Sequence, residues 1–256
     1  MTHSQIQAEE RVLASVPCTC FQPPAGDATR PRASLVLLHG WGGSKENYRF
    51  FATMLAKWGY LVVVPEVPHH GERGRLPDYF SPEGYRNYWP TVLQGVEEIG
   101  KLTTALVDEG LAEPGRIGII GHSMGGQIAT SAFARDPQLH SLVAINTGGD
   151  WETFEQWVRS SNRAPAATEE ELAPLRAYDP MRHPQEIAPR PLLFLHGGDD
   201  TFMPLAIQQG FHDALVPHYE QAAARHHLRF EQIGRLNHHI TLSMLEELIG
   251  WLDTYL

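Results

Sequence analysis

Cysteine is nearly missing from this 256-residue chain: Cys18 and Cys20 stand in a C-x-C spacing with no second pair. That argues against a disulfide framework and against a structural zinc site, each of which needs further ligands at recognisable spacings. No segment approaches the roughly 20 apolar residues needed to cross a bilayer. The 20 lysines and arginines are outnumbered by 30 aspartates and glutamates, for a formal charge of −10, and they form no cluster. Neither nucleic acid nor a membrane is therefore expected as a partner. The amino-terminal stretch MTHSQIQAEERVLASVP has no basic start and no long apolar run, so a cytoplasmic protein is expected. Internal repeats and low-complexity tracts are also missing. Histidine is plentiful at 14, with doublets at His69-His70, His226-His227 and His238-His239. No H-E-x-x-H or similar ligand spacing accompanies them, and no metal or cofactor is expected.

Turning to what is there, a chain that is 42% hydrophobic and of this length can bury one sizeable core, and residues 1–256 are read as a single domain. Short apolar runs recur: SLVLLHG (34–40), YLVVVPE (60–66), RIGIIGHS (116–123), SLVAINTGG (141–149) and RPLLFLHGG (190–198). Their length and β-branched content predict strands buried on both faces. Between them lie helical patterns, Phe50, Phe51, Met54, Leu55 and Trp58, then Val92, Leu93, Val96, Ile99, Leu102 and Leu106, each spaced as one apolar helix face. Alternating strands and helices imply an α/β fold, a mostly parallel central sheet flanked by helices, because parallel strands need crossovers. Segments near 11–21 and 228–233 would add outer strands, and TLSMLEELIGWLDTYL reads as a closing amphipathic helix. Residues of about 151–190 break the rhythm and are read as a small cap insertion, with Trp151, Phe154 and Trp157 needing a surface to pack on. Tryptophans exposed on that insertion would suit a homodimer contact or a lid.

In open α/β sheets, ligands bind beyond the carboxyl ends of the strands. There, Gly121-His122-Ser123-Met124-Gly125 spells G-x-S-x-G between a buried strand and a helix, the context that exposes a serine hydroxyl on a sharp turn. A serine hydroxyl alone is a weak nucleophile, so a base and an orienting acid are required. LLFLHGGDDTFMP offers Asp199 and Asp200 at a strand end, and LRFEQIGRLNHHI offers His238 and His239 before the last helix. The order Ser, Asp, His along the chain suits this architecture. An oxyanion hole would take the N–H of Met124 and another from the loop His39-Gly40-Trp41-Gly42-Gly43. His39 and His122 are expected to hold loop backbone by hydrogen bonds. His70, Glu72 and Arg73 are expected to form a loop-fixing polar network. Tyr79, Phe80, Tyr85, Tyr88 and Trp89 would fill core or, with Trp41, line a modest apolar acyl pocket.

Taken together, HGWGG, GHSMGG, HGGDDTFMP and NHHIT resemble the α/β-hydrolase superfamily from about residue 30 to the end. PHHGERG, YDP and the H-x-I-T helix start are similar to bacterial carboxylesterases related to dienelactone hydrolases and prolyl-oligopeptidase-type domains. The resemblance implies Asp200 as the acid of H-G-x-x-D-x-x-V-P, with Met203 at the usual valine, and His238 as the base of H-x-[IV]-T. It implies Trp41 and Met124 as oxyanion donors, and cleavage of a small-molecule carboxylic ester through an acyl-enzyme; the small size of the insertion favours short acyl chains. Glu66 stands where many relatives carry aspartate. A peptidase would bring a large extra domain, and a dehalogenase would need aspartate at 123. A thioesterase, a lactonase or a non-catalytic binding protein on the same scaffold are the alternatives.

Overall fold

The structure, a computed structural model, describes residues 6–24 and 33–256. Residues 1–5, the beginning of the amino-terminal stretch weighed above, lie outside them, as do residues 25–32. In chain order the elements are β1 (Gln7–Leu13), β2 (Val16–Gln22), β3 (Ser34–Leu38), α1 (Arg49–Lys57), β4 (Leu61–Pro65), α2 (Pro82–Tyr85), α3 (Tyr88–Asp108), β5 (Ile117–His122), α4 (Met124–Arg135) and β6 (Leu139–Ile145). They continue with α5 (Trp151–Ser161), α6 (Glu169–Tyr178), α7 (Pro184–Ile187), β7 (Leu192–Gly197), α8 (Leu205–Gln221), β8 (Leu228–Ile233) and α9 (Leu242–Tyr255). The strands form one sheet in the order β1-β2-β4-β3-β5-β6-β7-β8. The pairs β1/β2 and β2/β4 are antiparallel, and every pair from β4 onward is parallel.

Central strands are apolar at consecutive positions because both faces are covered. All five residues of β3 and all five of β4 are buried. Alternate residues then feed two separate core layers. Val36, Ile119, Leu142 and Phe194 join Val92, Val96, Leu102 and Ile128 of α3 and α4. Leu35, Ile120, Val143 and Leu193 join Leu55 of α1 and Leu248 and Leu252 of α9. Each such fully buried aliphatic side chain contributes about 1.5–3 kcal/mol of transfer free energy. The edge strand β1, by contrast, is polar and mostly exposed, which discourages pairing with another chain.

Two expectations need correction. The helix at 49–57 does not bury Phe50 or Trp58, which are 67% and 56% exposed; its buried stripe is Phe51, Ala52, Leu55 and Ala56. Alanines at i+1 of each large residue let α1 lie close to the sheet, so Phe50 and Trp58 turn outward, and the Trp58 indole N–H donates to Asp253 at 3.2 Å. The segment 11–21 is not one strand but parts of two, joined at Ala14-Ser15, both with positive φ (49° and 68°). Hairpin turns of this kind usually announce themselves with Asn or Gly, which this one lacks.

Residues 151–190 fold as α5, α6 and α7 against α3 and α4. Trp151 is fully buried, with its ring 5.1 Å from that of Trp89, and Phe154 and Trp157 follow it inward. The insertion therefore does not present exposed tryptophans, because its aromatic face is spent on the domain's own core. Among the described residues no helix is long and apolar enough to cross a membrane.

Candidate active site

Four strand ends converge. Ser123 follows β5, Asn146 follows β6, Asp200 follows β7, and the loop His39–Gly43 follows β3. Ser123 caps α4 with φ 58° and ψ −124°, a conformation costly for a residue with a Cβ and therefore held by its surroundings. The Ser123 N–H donates to the Ile145 carbonyl at 2.9 Å, and its own carbonyl accepts from Thr147 Oγ1 at 2.8 Å. The glycines of G-x-S-x-G are needed for closeness: a Cβ on Gly121 would lie 2.2 Å from the Gly125 carbonyl oxygen, and one on Gly125 would lie 2.5 Å from that of His39. The turn is thereby pressed against the loop after β3.

His238 Nε2 lies 2.7 Å from Ser123 Oγ, and His238 Nδ1 lies 2.7 Å from Asp200 Oδ2. Asp200 is buried, and its other oxygen accepts from the N–H groups of Phe202 and Met203, each at 2.9 Å. Burial alone would push this carboxyl up, but the bonds from His238 and the two N–H groups outweigh it and hold the pKa below its ordinary value. The neighbouring candidates are elsewhere: Asp199 and His239 are exposed, and His239 contributes only backbone contacts, its carbonyl accepting from Asn146 Nδ2 at 3.2 Å.

Met124 opens α4, where helix geometry leaves the N–H without an intrahelical acceptor. Gly43 N–H closes a turn onto the Gly40 carbonyl at 3.0 Å, with Trp41 and Gly42 at its centre and Gly42 at φ +74°. The Trp41 indole N–H donates to the Tyr79 carbonyl at 2.8 Å. Its ring meets His70, Tyr79 and Tyr88 edge-on at 5.1, 5.0 and 5.2 Å. Tyr88, Trp89 and Trp151 continue that aromatic wall towards the insertion. Phe80 is exposed and outside it.

His39 stands against loop backbone as expected, with Nδ1 3.0 Å from the Gly40 carbonyl and Nε2 3.3 Å from the Val67 nitrogen. Glu66 is buried beside it, Oε1 at 2.9 Å from His39 Nε2, and accepts the Lys45 N–H at 3.3 Å. His122 does not hold backbone. Its Nδ1 is 2.6 Å from the Tyr48 hydroxyl, while its ring lies 4.9 Å from that of His238. Burial, with His238 close by, pushes the His122 pKa down to about 3. The PHHGERG loop is tied down by Arg73, which donates to Glu98 at 2.7 Å and to the Glu66 carbonyl at 2.9 Å, and by Glu72, which accepts from Lys45 at 2.8 Å.

Three contributors carry no signal in the sequence. Asn146 receives the Gly197 N–H at 2.8 Å and donates to the His239 carbonyl, stitching the strand before Asp200 to the loop that carries His238. His196 sits 2.9 Å from the Met203 carbonyl, below the turn that cradles Asp200. Tyr48 connects Gly40 to His122. A cavity of about 430 Å³ lies apart from all of these, between Val96, Ala132, Arg135 and His183. Among the described residues no group of three His, Cys, Asp or Glu side chains is placed to hold a metal ion.

Comparison with known proteins gives a consistent result. Residues 29–176 match the family described as serine aminopeptidase, S33. The protein "Putative esterase YitV" of Bacillus subtilis is 31% identical over 98% of this chain and 100% of its own length. Esterase YjfP of Escherichia coli is 28% identical over 89% of this chain and 95% of its own. The crystal structure of TT1662 from Thermus thermophilus superposes with a TM-score of 0.78 at 26% identity, covering 97% of each chain.

Proposed function

The chain belongs to the serine hydrolases of the α/β-hydrolase superfamily, in the family described as serine aminopeptidase, S33, and from that premise we propose that it cleaves carboxylic esters of short acyl chain. The observation that carries this reading is the unbroken hydrogen-bond chain from Ser123 Oγ through His238 to Asp200, with 2.7 Å at each step. His238 takes the hydroxyl proton as Oγ attacks the ester carbonyl, and Asp200 holds the imidazole tautomer and balances the imidazolium. The N–H groups of Trp41 and Met124 stabilise the developing oxyanion. His238 then protonates the departing alkoxide, and water repeats the cycle on the acyl-enzyme. The names of the two esterase relatives support an ester as the substrate. A short acyl group is favoured because the buried Tyr88 packs edge-on against Trp41 at 5.2 Å and the insertion is small.

The test is a fluorophosphonate probe together with a chromogenic acetate ester. The wild type should be labelled at Ser123 and hydrolyse the ester. Ser123→Ala should escape labelling and lose at least about 10⁴-fold in kcat. Equal labelling of the two proteins, or an alanine variant that keeps its activity, would refute the assignment.

A further inference from the structure

The loop after β3 carries four consecutive N–H groups, at Gly40, Trp41, Gly42 and Gly43, and three of them are engaged. Gly43 N–H closes the turn on Gly40. Gly42 N–H donates to His70 Nε2 at 3.0 Å, and Gly40 N–H donates to the Tyr48 hydroxyl at 3.3 Å. Among the described residues Trp41 N–H has no acceptor. The loop itself touches the nucleophile, since a Cβ on Gly40 would lie 3.1 Å from Ser123 Cβ.

The partners of His70 fix its proton. His70 is fully buried and its Nδ1 lies 2.8 Å from the Pro68 carbonyl, which can only accept, so Nδ1 carries the proton and Nε2 offers its lone pair to Gly42. The Tyr48 oxygen accepts the Gly40 N–H at 3.3 Å and lies 2.6 Å from His122 Nδ1, so the hydroxyl bridges the loop to the residue before Ser123. His70, from the loop after β4, thus holds the peptide unit that follows Trp41, and Tyr48, bonded to the residue preceding Ser123, holds the unit that precedes Gly40, while the Gly40 carbonyl between them accepts from Gly43 N–H.

We propose that His70 and Tyr48 are positioning residues of the oxyanion hole, occupying the N–H groups of Gly42 and Gly40 so that, of this loop's N–H groups, Trp41's is the one presented to the substrate carbonyl beside that of Met124. This rests on the proposed serine-hydrolase mechanism. It differs from a general loop-fixing role because it requires the loss to appear in the transition state. Removing an oxyanion donor outright costs about 10²–10³-fold in kcat. Misplacing one should cost less, about 10- to 100-fold.

His70→Phe keeps the ring that stacks on Tyr79 at 4.7 Å but deletes the acceptor, and Tyr48→Phe deletes a single hydroxyl. His70→Gln returns an acceptor near the Nε2 position. Each variant is assayed for kcat and KM on a chromogenic acetate ester and for inhibition by a trifluoromethyl ketone, whose adduct with serine carries an oxyanion. Both Phe variants should lose about 10- to 100-fold in kcat with KM changed less than about threefold, and lose ketone affinity by the same factor. His70→Gln should recover most of both. A kcat loss without a matching loss of ketone affinity, or kcat within about twofold of wild type in folded Tyr48→Phe, overturns the proposal. If Ser123→Ala retains activity the underlying mechanism fails and the positioning role with it. If Ser123→Ala is inactive while the Phe variants are unimpaired, only the positioning role falls.

Discussion

The loop carrying Trp41 and the insertion carrying α5 and α6 are held by opposite physics. The loop is fixed by neutral hydrogen bonds from His70 and Tyr48 and by ring contacts. The insertion is laced on its outside by ion pairs, Arg159 with Glu171 at 2.9 Å, and Arg176 and Arg182 with Glu152 at 2.9 and 2.8 Å. A buried group that loses its partner bears the full desolvation penalty, about 1–3 kcal/mol, whereas an exposed ion pair is worth about 0–1 kcal/mol and is screened by salt. The consequence is a division within one chain. The wall beside Ser123 is sensitive to loss of a partner, and the insertion can be re-charged at little expense.

The sharpest way to break that comparison lies at the adjacent histidines. His238→Ala should lower kcat by about 10⁴-fold, while His239→Ala, on the exposed side of the same loop, should stay within about threefold. Steady-state kinetics on the two variants decides it.

A smaller effect separates the regions by pH. Burial pushes the His70 pKa down to about 4 and the His122 pKa to about 3, against an ordinary value near 6.5. Between pH 6.5 and 4 the unfolded chain therefore binds more protons, and stability present above 6.5 is lost as the pH falls. Asp179, whose carboxylate receives the N–H groups of Trp151, Glu152 and Met181 at the root of the insertion, has the other sign. Burial raises it to about 6 in spite of those bonds, so its contribution is present below pH 3.8 and lost as the pH rises to 6. Urea midpoints at pH 7.5 and 5 should show His70→Gln flattening the acid loss and Asp179→Asn steepening it.

The smallest effect belongs to the ion pairs. Arg176→Ala should lower the urea midpoint only slightly, with the deficit shrinking in 1 M salt, and should leave kcat unchanged. A large salt-insensitive loss would place the insertion's outside in the same energetic class as the loop carrying Trp41.

Much of this was legible in the chain because it is local. Apolar runs such as SLVLL and LVVVP announce doubly covered strands, and G-x-S-x-G between a strand and a helix announces its own turn. Legibility failed where the deciding partner is remote or absent from any pattern. Ala14-Ser15 turns without glycine or asparagine, and the outward Phe50 and Trp58 obey helical spacing while the sheet selects a different face.

The sequence by itself determined an alternating α/β chain with a serine at a strand-to-helix turn, followed by acidic and imidazole candidates in a suitable order. Motif resemblance already favoured Asp200 over Asp199 and His238 over His239, but only the tertiary structure gives the reason, since neighbouring residues share composition and differ in direction. It alone brought Tyr48, His70 and Asn146 to their acceptors and donors, from 8, 28 and 51 or more positions away. Hydrogen bonds act over about 3 Å of space, and no periodicity in a sequence records which distant atoms will come that close.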